Sequence, residues 1–308
     1  MRLVFMVTGE ISEPTFADVL ASEHEVVGLV TQPDRPVGRK QVMTAPRVKE
    51  LAHEFEVPVI QPESVKAEEA LAQIRAWDPE VIVVMAYGQI LPQALIDIPS
   101  RAIINLHASL LPKYRGASCI QAALKNGDEE TGWSVIHVVK KLDAGNVILQ
   151  QAFRILDGET GGELHDRLAK AGPAACRAAL TRLEEGPFEG EVQDEASQSY
   201  APKLGRKDGY IDWSKSASEL ECLVRAYHPW PGTSAALGAK RLKIFPPVKV
   251  GDGQGEPGEL LEVGESTLEV ACGSGSLVLD EVQLEGSRRM TGSDLARGHL
   301  DALKAGLK

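Results

Sequence analysis

Cysteine is scarce in this 308-residue chain: Cys119, Cys176, Cys222 and Cys272 stand far apart, and no CxxC pair occurs. That spacing offers neither the paired thiolates of a zinc site nor the framework of a disulfide-stapled domain. No metal is expected, and the four thiols are expected to be reduced and packed. Long apolar runs are missing too. None reaches the roughly 20 residues that cross a bilayer. Met1-Arg2-Leu3-Val4-Phe5 runs straight into a strand-like segment, without the n-region or cleavage site of a secretory leader. A cytoplasmic protein with no membrane partner is the expectation. Positive charge is also in deficit. A net charge of -11 argues against a protein that coats nucleic acid by bulk attraction. No internal repeat or low-complexity tract is apparent.

What is present is ordinary globular material, 43% hydrophobic and 25% charged, in a length that suits one large or two average domains. The charge is unevenly spread. Residues 201–250 hold nine Lys/Arg against four Asp/Glu, and residues 31–50 hold five against two. Two local basic surfaces on an acidic body suit a docked polyanion better than a wrapped one, although an ordinary solvated surface gives similar counts.

Along residues 1–180, short β-branched-rich runs (Leu3–Val7, Val26–Thr31, Val57–Ile60, Val81–Met85, Ala102–Leu106) alternate with periodic stretches at Pro14–Ser22, Pro46–Phe55 and Lys66–Trp77. Strands alternating with helices predict an α/β domain with a doubly wound, mostly parallel, Rossmann-like sheet. Ligands of such sheets sit beyond the carboxyl ends of the strands, so the loops after Val7, Met85 and Leu106 should converge. Residues 184–203 are acidic, contain Gly and Ser and lose periodicity, which reads as a linker. Beyond them, Leu242–Ile244, Val248–Val250, Gly258–Val263, Thr267–Ala271 and Ser276–Gln283 are short strands split by Gly-rich turns, with a helix over Ala217–Ala226 ahead of them. That pattern predicts a small barrel. The expected division is residues 1–183, a linker 184–203, and residues 204–308.

The chemistry concentrates in Asn105-Leu-His107-Ala-Ser-Leu-Leu-Pro-Lys-Tyr-Arg115-Gly116. Strand alternation aims the Asn105 and His107 side chains to one face at the strand's carboxyl end. A donor amide beside a titratable imidazole is what acyl transfer needs: hydrogen bonds for a developing oxyanion and a group that handles protons near neutral pH. Arg115-Gly116 adds a cationic fork beside a backbone open to close approach. Leu142-Asp143-Ala-Gly145-Asn146 places a carboxylate on a Gly-containing turn. Taken alone, His107 also fits a structural histidine and Asp143 a turn former. His137, in an apolar strand pattern, is expected to be structural.

Asn105–Gly116 with Leu142–Gly145 resembles the signature of the 10-formyltetrahydrofolate-dependent formyltransferases. The likeness extends to Thr31-Gln-Pro-Asp-Arg35-Pro-Val-Gly-Arg39, Gln61–Ser64, Ala86–Pro92 and Gln121–Gly132. Tyr200–Leu204, Ile211–Ser214, Pro229–Gly232, Arg241–Lys243, Gly255–Gly258 and Ala271–Gly273 are similar to a second, OB-like barrel domain of the tRNA-acting branch. The purine-pathway branch lacks that domain.

The resemblance implies an enzyme that uses 10-formyltetrahydrofolate as formyl donor and the α-amino group of methionine on charged initiator tRNA as acceptor. It implies a catalytic domain, a tRNA-binding domain and a monomer. Asn105 and His107 would meet the oxyanion, with Asp143 setting the protonation state of His107. Folate would lie along Ser109, Leu110, Leu111 and Pro112 and along Met85, Tyr87, Gly88, Ile90 and Leu91. Arg35, Arg39 and Lys40 would meet the acceptor stem, and Lys203, Arg206, Lys207, Arg241 and Lys243 its phosphates. The chain departs from the family pattern at Val7, Gly9, Lys40, Cys119 and Asn146, which touches substrate details more than the chemistry. Other readings are another folate-dependent N-formyltransferase, a formyltetrahydrofolate hydrolase, or a non-catalytic tRNA-binding paralogue. A dinucleotide oxidoreductase lacks its G-x-G-x-x-G turn here.

Overall fold

The computed structural model describes residues 1–38 and 40–308. They form two compact units, each drawn from separate stretches of chain. The first comprises residues 1–119, 131–153 and 165–201; the second comprises residues 120–130, 154–164 and 202–308. Residues 184–201, which read as linker by composition, fall within the first unit.

The strands of the first half are β1 (Arg2–Val7), β2 (Glu25–Val30), a short hairpin of β3 (Arg35–Val37) and β4 (Val42–Thr44), β5 (Val59–Ile60), β6 (Val81–Met85), β7 (Ala102–His107), β8 (Glu130–His137) and β9 (Val147–Arg154). Seven of them form one sheet in the order β5-β2-β1-β6-β7-β8-β9. β5, β2, β1, β6 and β7 run parallel, while β8 is antiparallel to β7. Leu3–Val7 and Val81–Met85 are buried on both faces, which is why they read as unbroken apolar runs rather than alternating ones. The helices are α1 (Glu13–Leu20), α2 (Arg47–Glu54), α3 (Glu68–Ala76), α4 (Gln93–Ile96), α5 (Cys119–Lys125) and α6 (Gly161–Glu184). The chain leaves β1 toward β2 and β5 and returns on the other side at β6. The strand order therefore reverses between β1 and β6, and a crevice is expected outside their carboxyl ends.

Sequence periodicity did not reveal α6, because Gly161-Gly162 and Gly172-Pro173 read as breakers. An internal proline costs a helix about 3 kcal/mol. Leu168, Ala175, Cys176, Ala179, Leu180 and Leu183 are all at most 3% exposed, and each fully buried leucine alone contributes about 1.5–3 kcal/mol. Burial wins over propensity.

The second unit carries α7 (Ala217–Ala226), β10 (Thr233–Leu237), β11 (Lys240–Gly251), β12 (Leu260–Val263), β13 (Leu268–Ala271), β14 (Ser276–Leu284), β15 (Met290–Thr291) and α8 (Gly292–Lys304). Its antiparallel sheet has the order β10-β11-β14-β13-β12, with β15 on β14. The N-terminus of α7 is a capping box: Ser216 N–H donates to Glu219 Oε2 at 3.0 Å, and Glu219 N–H donates to Ser216 Oγ at 3.3 Å. The two strands expected at 242–250 are one, β11, whose register with β14 shifts between Phe245 and Val248. Pro246-Pro247 lies at that shift and supplies no N–H to the ladder. Along β11, Leu242 and Ile244 are buried while Arg241 and Lys243 are exposed, the period-two pattern of a sheet with one wet face. No helix among the described residues is long and apolar enough to cross a membrane.

Candidate active site

The loops at the carboxyl ends of β1, β2 and β6 are tied to one another. Thr8 Oγ1 lies 3.2 Å from Thr31 Oγ1, Gln32 N–H donates to Thr8 Oγ1 at 3.2 Å, and Gln32 Nε2 donates to the Tyr87 carbonyl at 3.0 Å. The next strand, β7, ends with Asn105 half-buried and His107 buried. Asp143, on the turn between β8 and β9, reaches both. Asn105 Nδ2 donates to Asp143 Oδ1 at a long 3.4 Å. Oδ2 of the same carboxylate accepts the Gly116 N–H at 2.8 Å and lies 3.7 Å from His107 Nδ1. The three residues singled out in the sequence thus share one site.

The partner of His107 Nε2 is the Tyr114 carbonyl, at 2.9 Å. A carbonyl only accepts, so Nε2 carries a proton by assignment from its partner, and Nδ1 is the nitrogen turned to Asp143. Burial alone disfavours the imidazolium. Cys119 beside the ring, the Asp143 carboxylate and the Tyr114 carbonyl more than reverse this and raise the pKa from its ordinary 6.5 to about 9. A raised pKa favours the doubly protonated ring, in which both nitrogens donate. Because the folded pKa lies above the unfolded value, the protonated ring contributes stability that is complete below pH 6.5 and is lost as pH rises through about 9. Urea unfolding should show the stability difference between wild type and His107→Gln shrinking across that window. A difference independent of pH contradicts this charge state.

Main-chain atoms complete the site, and no sequence signal marks them: the Tyr114 carbonyl and the Gly116 N–H are invisible to residue type. Gly116 itself is required. Its φ is +111°, and a Cβ there would meet the Ala201 carbonyl oxygen at 2.6 Å. The close approach anticipated at this glycine is thus to the protein's own backbone.

Arg115 corrects the sequence reading further. Its side chain is fully buried, and its guanidinium is occupied by Gln193, Gln198 and Glu195. It is not a fork offered to a ligand.

The expected folate-binding residues divide by exposure. The side chains of Met85, Tyr87, Ser109 and Leu111 are packed inside. Ser109 Oγ donates to the Lys113 carbonyl at 2.7 Å, and the Leu111 N–H donates to Ser134 Oγ at 3.0 Å. Gly88 is exposed, with nothing among the described residues within 4 Å of its Cβ position, Ile90 is 74% exposed, and Leu91, Leu110 and Pro112 are partly exposed. Exposed aliphatic side chains are thus present on the segments after β6 and β7. Among the described residues, no group of three or more His, Cys, Asp or Glu side chains is placed to hold a metal.

Of the expected tRNA contacts, Arg35 and Lys40 are exposed on and beside the β3–β4 hairpin, and Arg39 lies outside the described residues. Lys203, Arg206, Lys207, Arg241 and Lys243 are exposed on the second unit. His137 Nε2 meets the Phe188 carbonyl at 2.6 Å, a structural role. The departures from the family pattern at Val7, Gly9 and Asn146 are accommodated. Val7 lies within β1, and Gly9 has φ -71°, so the first turn needs no left-handed residue. Asn146 Nδ2 donates to the Glu189 carbonyl at 3.0 Å.

Residues 1–180 match the family described as Formyl transferase, and residues 203–300 match Formyl transferase, C-terminal domain. The chain belongs to the formyl transferase family. Its sequence relatives carry a narrower name: a Methionyl-tRNA formyltransferase from Akkermansia muciniphila is 48% identical over 305 residues, 97% of each chain. Among solved structures, the chain is similar to WlaRD, a sugar 3N-formyl transferase, with a TM-score of 0.68 at 15% identity over 94% of this chain and 99% of that one. It is also similar to HypX from Aquifex aeolicus in complex with tetrahydrofolic acid, with a TM-score of 0.64 at 16% identity. That match covers 97% of this chain but only 47% of HypX. At such identities the two structures testify to the fold.

Proposed function

We propose that this protein transfers the formyl group of 10-formyltetrahydrofolate to the α-amino group of methionyl-tRNA, with initiator tRNA as the acceptor used in translation initiation. The observation that carries the reading is the cluster of Asn105, His107 and Asp143 at the carboxyl end of β7, in a chain 48% identical to a protein of that name. When bound, 10-formyltetrahydrofolate supplies an activated formyl carbonyl.

In this reading the Asn105 Nδ2–H and the His107 Nδ1–H donate to the carbonyl oxygen as it gains negative charge, inside a site already shaped for it. Asp143 takes the Gly116 N–H on Oδ2, faces the imidazole and the amide, and, through a water, would carry the proton that the attacking amine gives up to the folate N10, which leaves as its bond to the formyl carbon breaks. The acceptor amine has an intrinsic pKa near 8, so an appreciable share is neutral at cytosolic pH. Ile90, Leu91, Leu110 and Pro112 hold the pterin. Arg35, Arg39 and Lys40 approach the acceptor stem, and Lys203, Arg206, Lys207, Arg241 and Lys243 contact phosphates. The catalytic part is residues 1–183 and the tRNA-binding part residues 204–308. The protein works as a cytoplasmic monomer.

Supply of 10-formyltetrahydrofolate with initiator methionyl-tRNA, elongator methionyl-tRNA or a nucleotide-linked amino sugar tests the assignment. Formyl-methionine from initiator tRNA is expected. Formylation of the sugar alone, or of none, overturns it. A second expectation concerns the exposed strip on β11. The double variant Arg241→Ala/Lys243→Ala should weaken tRNA binding and flatten the slope of log affinity against log salt by about 1 for each phosphate no longer neutralised. An unchanged slope removes these residues from the interface.

A further inference from the structure

The segment Gln193–Ala201, which composition assigns to a linker, is bound to the catalytic turn by a dense set of hydrogen bonds. Gln193 is 6% exposed. Its Nε2 donates to the Asp143 carbonyl at 2.8 Å and to the Gly145 carbonyl at 2.7 Å. Its Oε1 accepts from Arg115 Nε at 3.1 Å and Nη2 at 2.8 Å. Both amide hydrogens and both lone pairs are used, and a flipped amide would set oxygen against two carbonyls and NH2 against a guanidinium, so the orientation is fixed. Arg115, fully buried, also donates to Gln198 Oε1 at 2.6 Å and Glu195 Oε1 at 2.8 Å. Lys141, two residues ahead of Asp143, donates to Glu195 as well. Arg115 first and Lys141 second hold the Glu195 carboxyl down at about 2, so the clasp stays ionised at any pH used for assay.

The same segment reaches the other side of His107. Ser199 Oγ accepts the Tyr114 N–H at 2.9 Å, the Arg115 N–H donates to the Ser199 carbonyl at 2.8 Å, and the Ala201 N–H donates to the Arg115 carbonyl at 2.8 Å. Tyr114 is the residue whose carbonyl receives His107 Nε2. One strap therefore fixes both partners of the imidazole, the Tyr114 carbonyl at Nε2 and the Asp143 carboxylate at Nδ1. The φ of Asp143 is +46°, in the left-handed region that aspartate enters more readily than most residues.

We infer that Gln193 is a positioning residue of the reaction, setting the Asp143 carboxylate against Asn105 and His107, with Arg115 as the anchor that orients the Gln193 amide. The inference rests on the proposed role of Asp143. A misplacement of catalytic groups by about 1 Å costs on the order of 10²-fold in rate. Gln193→Leu removes both donors at similar size. It should lower kcat for formyl transfer by roughly 10–100-fold while leaving KM for methionyl-tRNA and for folate within about twofold.

The decisive readout is a double-mutant cycle with Asp143→Asn. If Gln193 acts through Asp143, Gln193→Leu should change kcat less than about twofold in the Asp143→Asn background. A loss of equal size in both backgrounds, an effect confined to KM, or no loss at all overturns the inference. If Gln193→Leu does not yield folded protein, Gln193→Met is read in the same cycle against the same outcomes. Full activity of Asp143→Asn itself contradicts the catalytic reading. An impaired Asp143→Asn with an additive Gln193 effect contradicts the strap alone.

Discussion

In single-turnover assays with charged initiator tRNA and 10-formyltetrahydrofolate, His107→Ala and Asn105→Ala should each slow formyl transfer by about 10²–10³-fold, the usual cost of one oxyanion donor. The expectation follows from how each donor is held. His107 is 6% exposed, and Nε2 is committed to the Tyr114 carbonyl at 2.9 Å, so only Nδ1 faces the site. The raised pKa keeps a proton on that nitrogen at neutral pH, and alanine removes it. Asn105 Nδ2 is held by a 3.4 Å hydrogen bond to Asp143, so little must be given up when it turns to a stronger acceptor. Both losses should fall on kcat, with tRNA affinity preserved, because the basic residues proposed for the phosphates lie elsewhere. For the wild type, kcat/KM should decline above about pH 9 as the imidazolium is lost. A loss confined to KM would place these residues in substrate binding.

The second large effect is structural. Gly145→Ala should cost at least about 3 kcal/mol of stability, the range of severe overpacking, and remove activity with it. A Cβ at Gly145 would stand 1.7 Å from the His137 carbonyl oxygen and 2.7 Å from its carbon. Neither atom can yield easily, since His137 lies at the end of β8 and its N–H donates to the Asn146 carbonyl at 3.0 Å. The strand and the turn would have to part, and that turn carries Asp143. Gly298→Ala on the exposed face of α8 is the internal comparison. Among the described residues, nothing lies within 4 Å of its Cβ position, and alanine there should be close to neutral, since α8 is kinked at the neighbouring His299 (φ -140°). Urea midpoints of the two variants decide the matter, and similar midpoints contradict the steric account.

The sequence displayed the parts of this site that depend on periodicity and residue type. Apolar runs located β1, β2, β6 and β7, and alternation along β7 put Asn105 and His107 on one face. Resemblance then brought in Asp143 from a distant turn. What stayed hidden depends on atoms that every residue has, or on long-range packing. The Tyr114 carbonyl and the Gly116 N–H are main-chain groups. Arg115 looked like a ligand fork because an arginine beside a glycine is ambiguous until its partners are known, and those partners lie far downstream, at Gln193, Glu195 and Gln198. Residues 193–201 looked like linker because their composition is polar. Their order comes from hydrogen bonds to Arg115, Tyr114 and the Asp143 turn, which no local pattern encodes. α6 was concealed by its own glycines and proline until burial of its inner face was seen.

Formyl transfer to the methionyl amine by the Asn105–His107–Asp143 site is open to a single experiment. Its most direct test is to mix excess protein with 10-formyltetrahydrofolate and initiator methionyl-tRNA, quench within one turnover, strip the aminoacyl ester and quantify formyl-methionine for wild type and His107→Ala side by side. Formyl-methionine from the wild type, at a rate at least about 10²-fold above the variant, is the predicted result. Equal rates from the two proteins, or no formyl-methionine from the wild type, would contradict it.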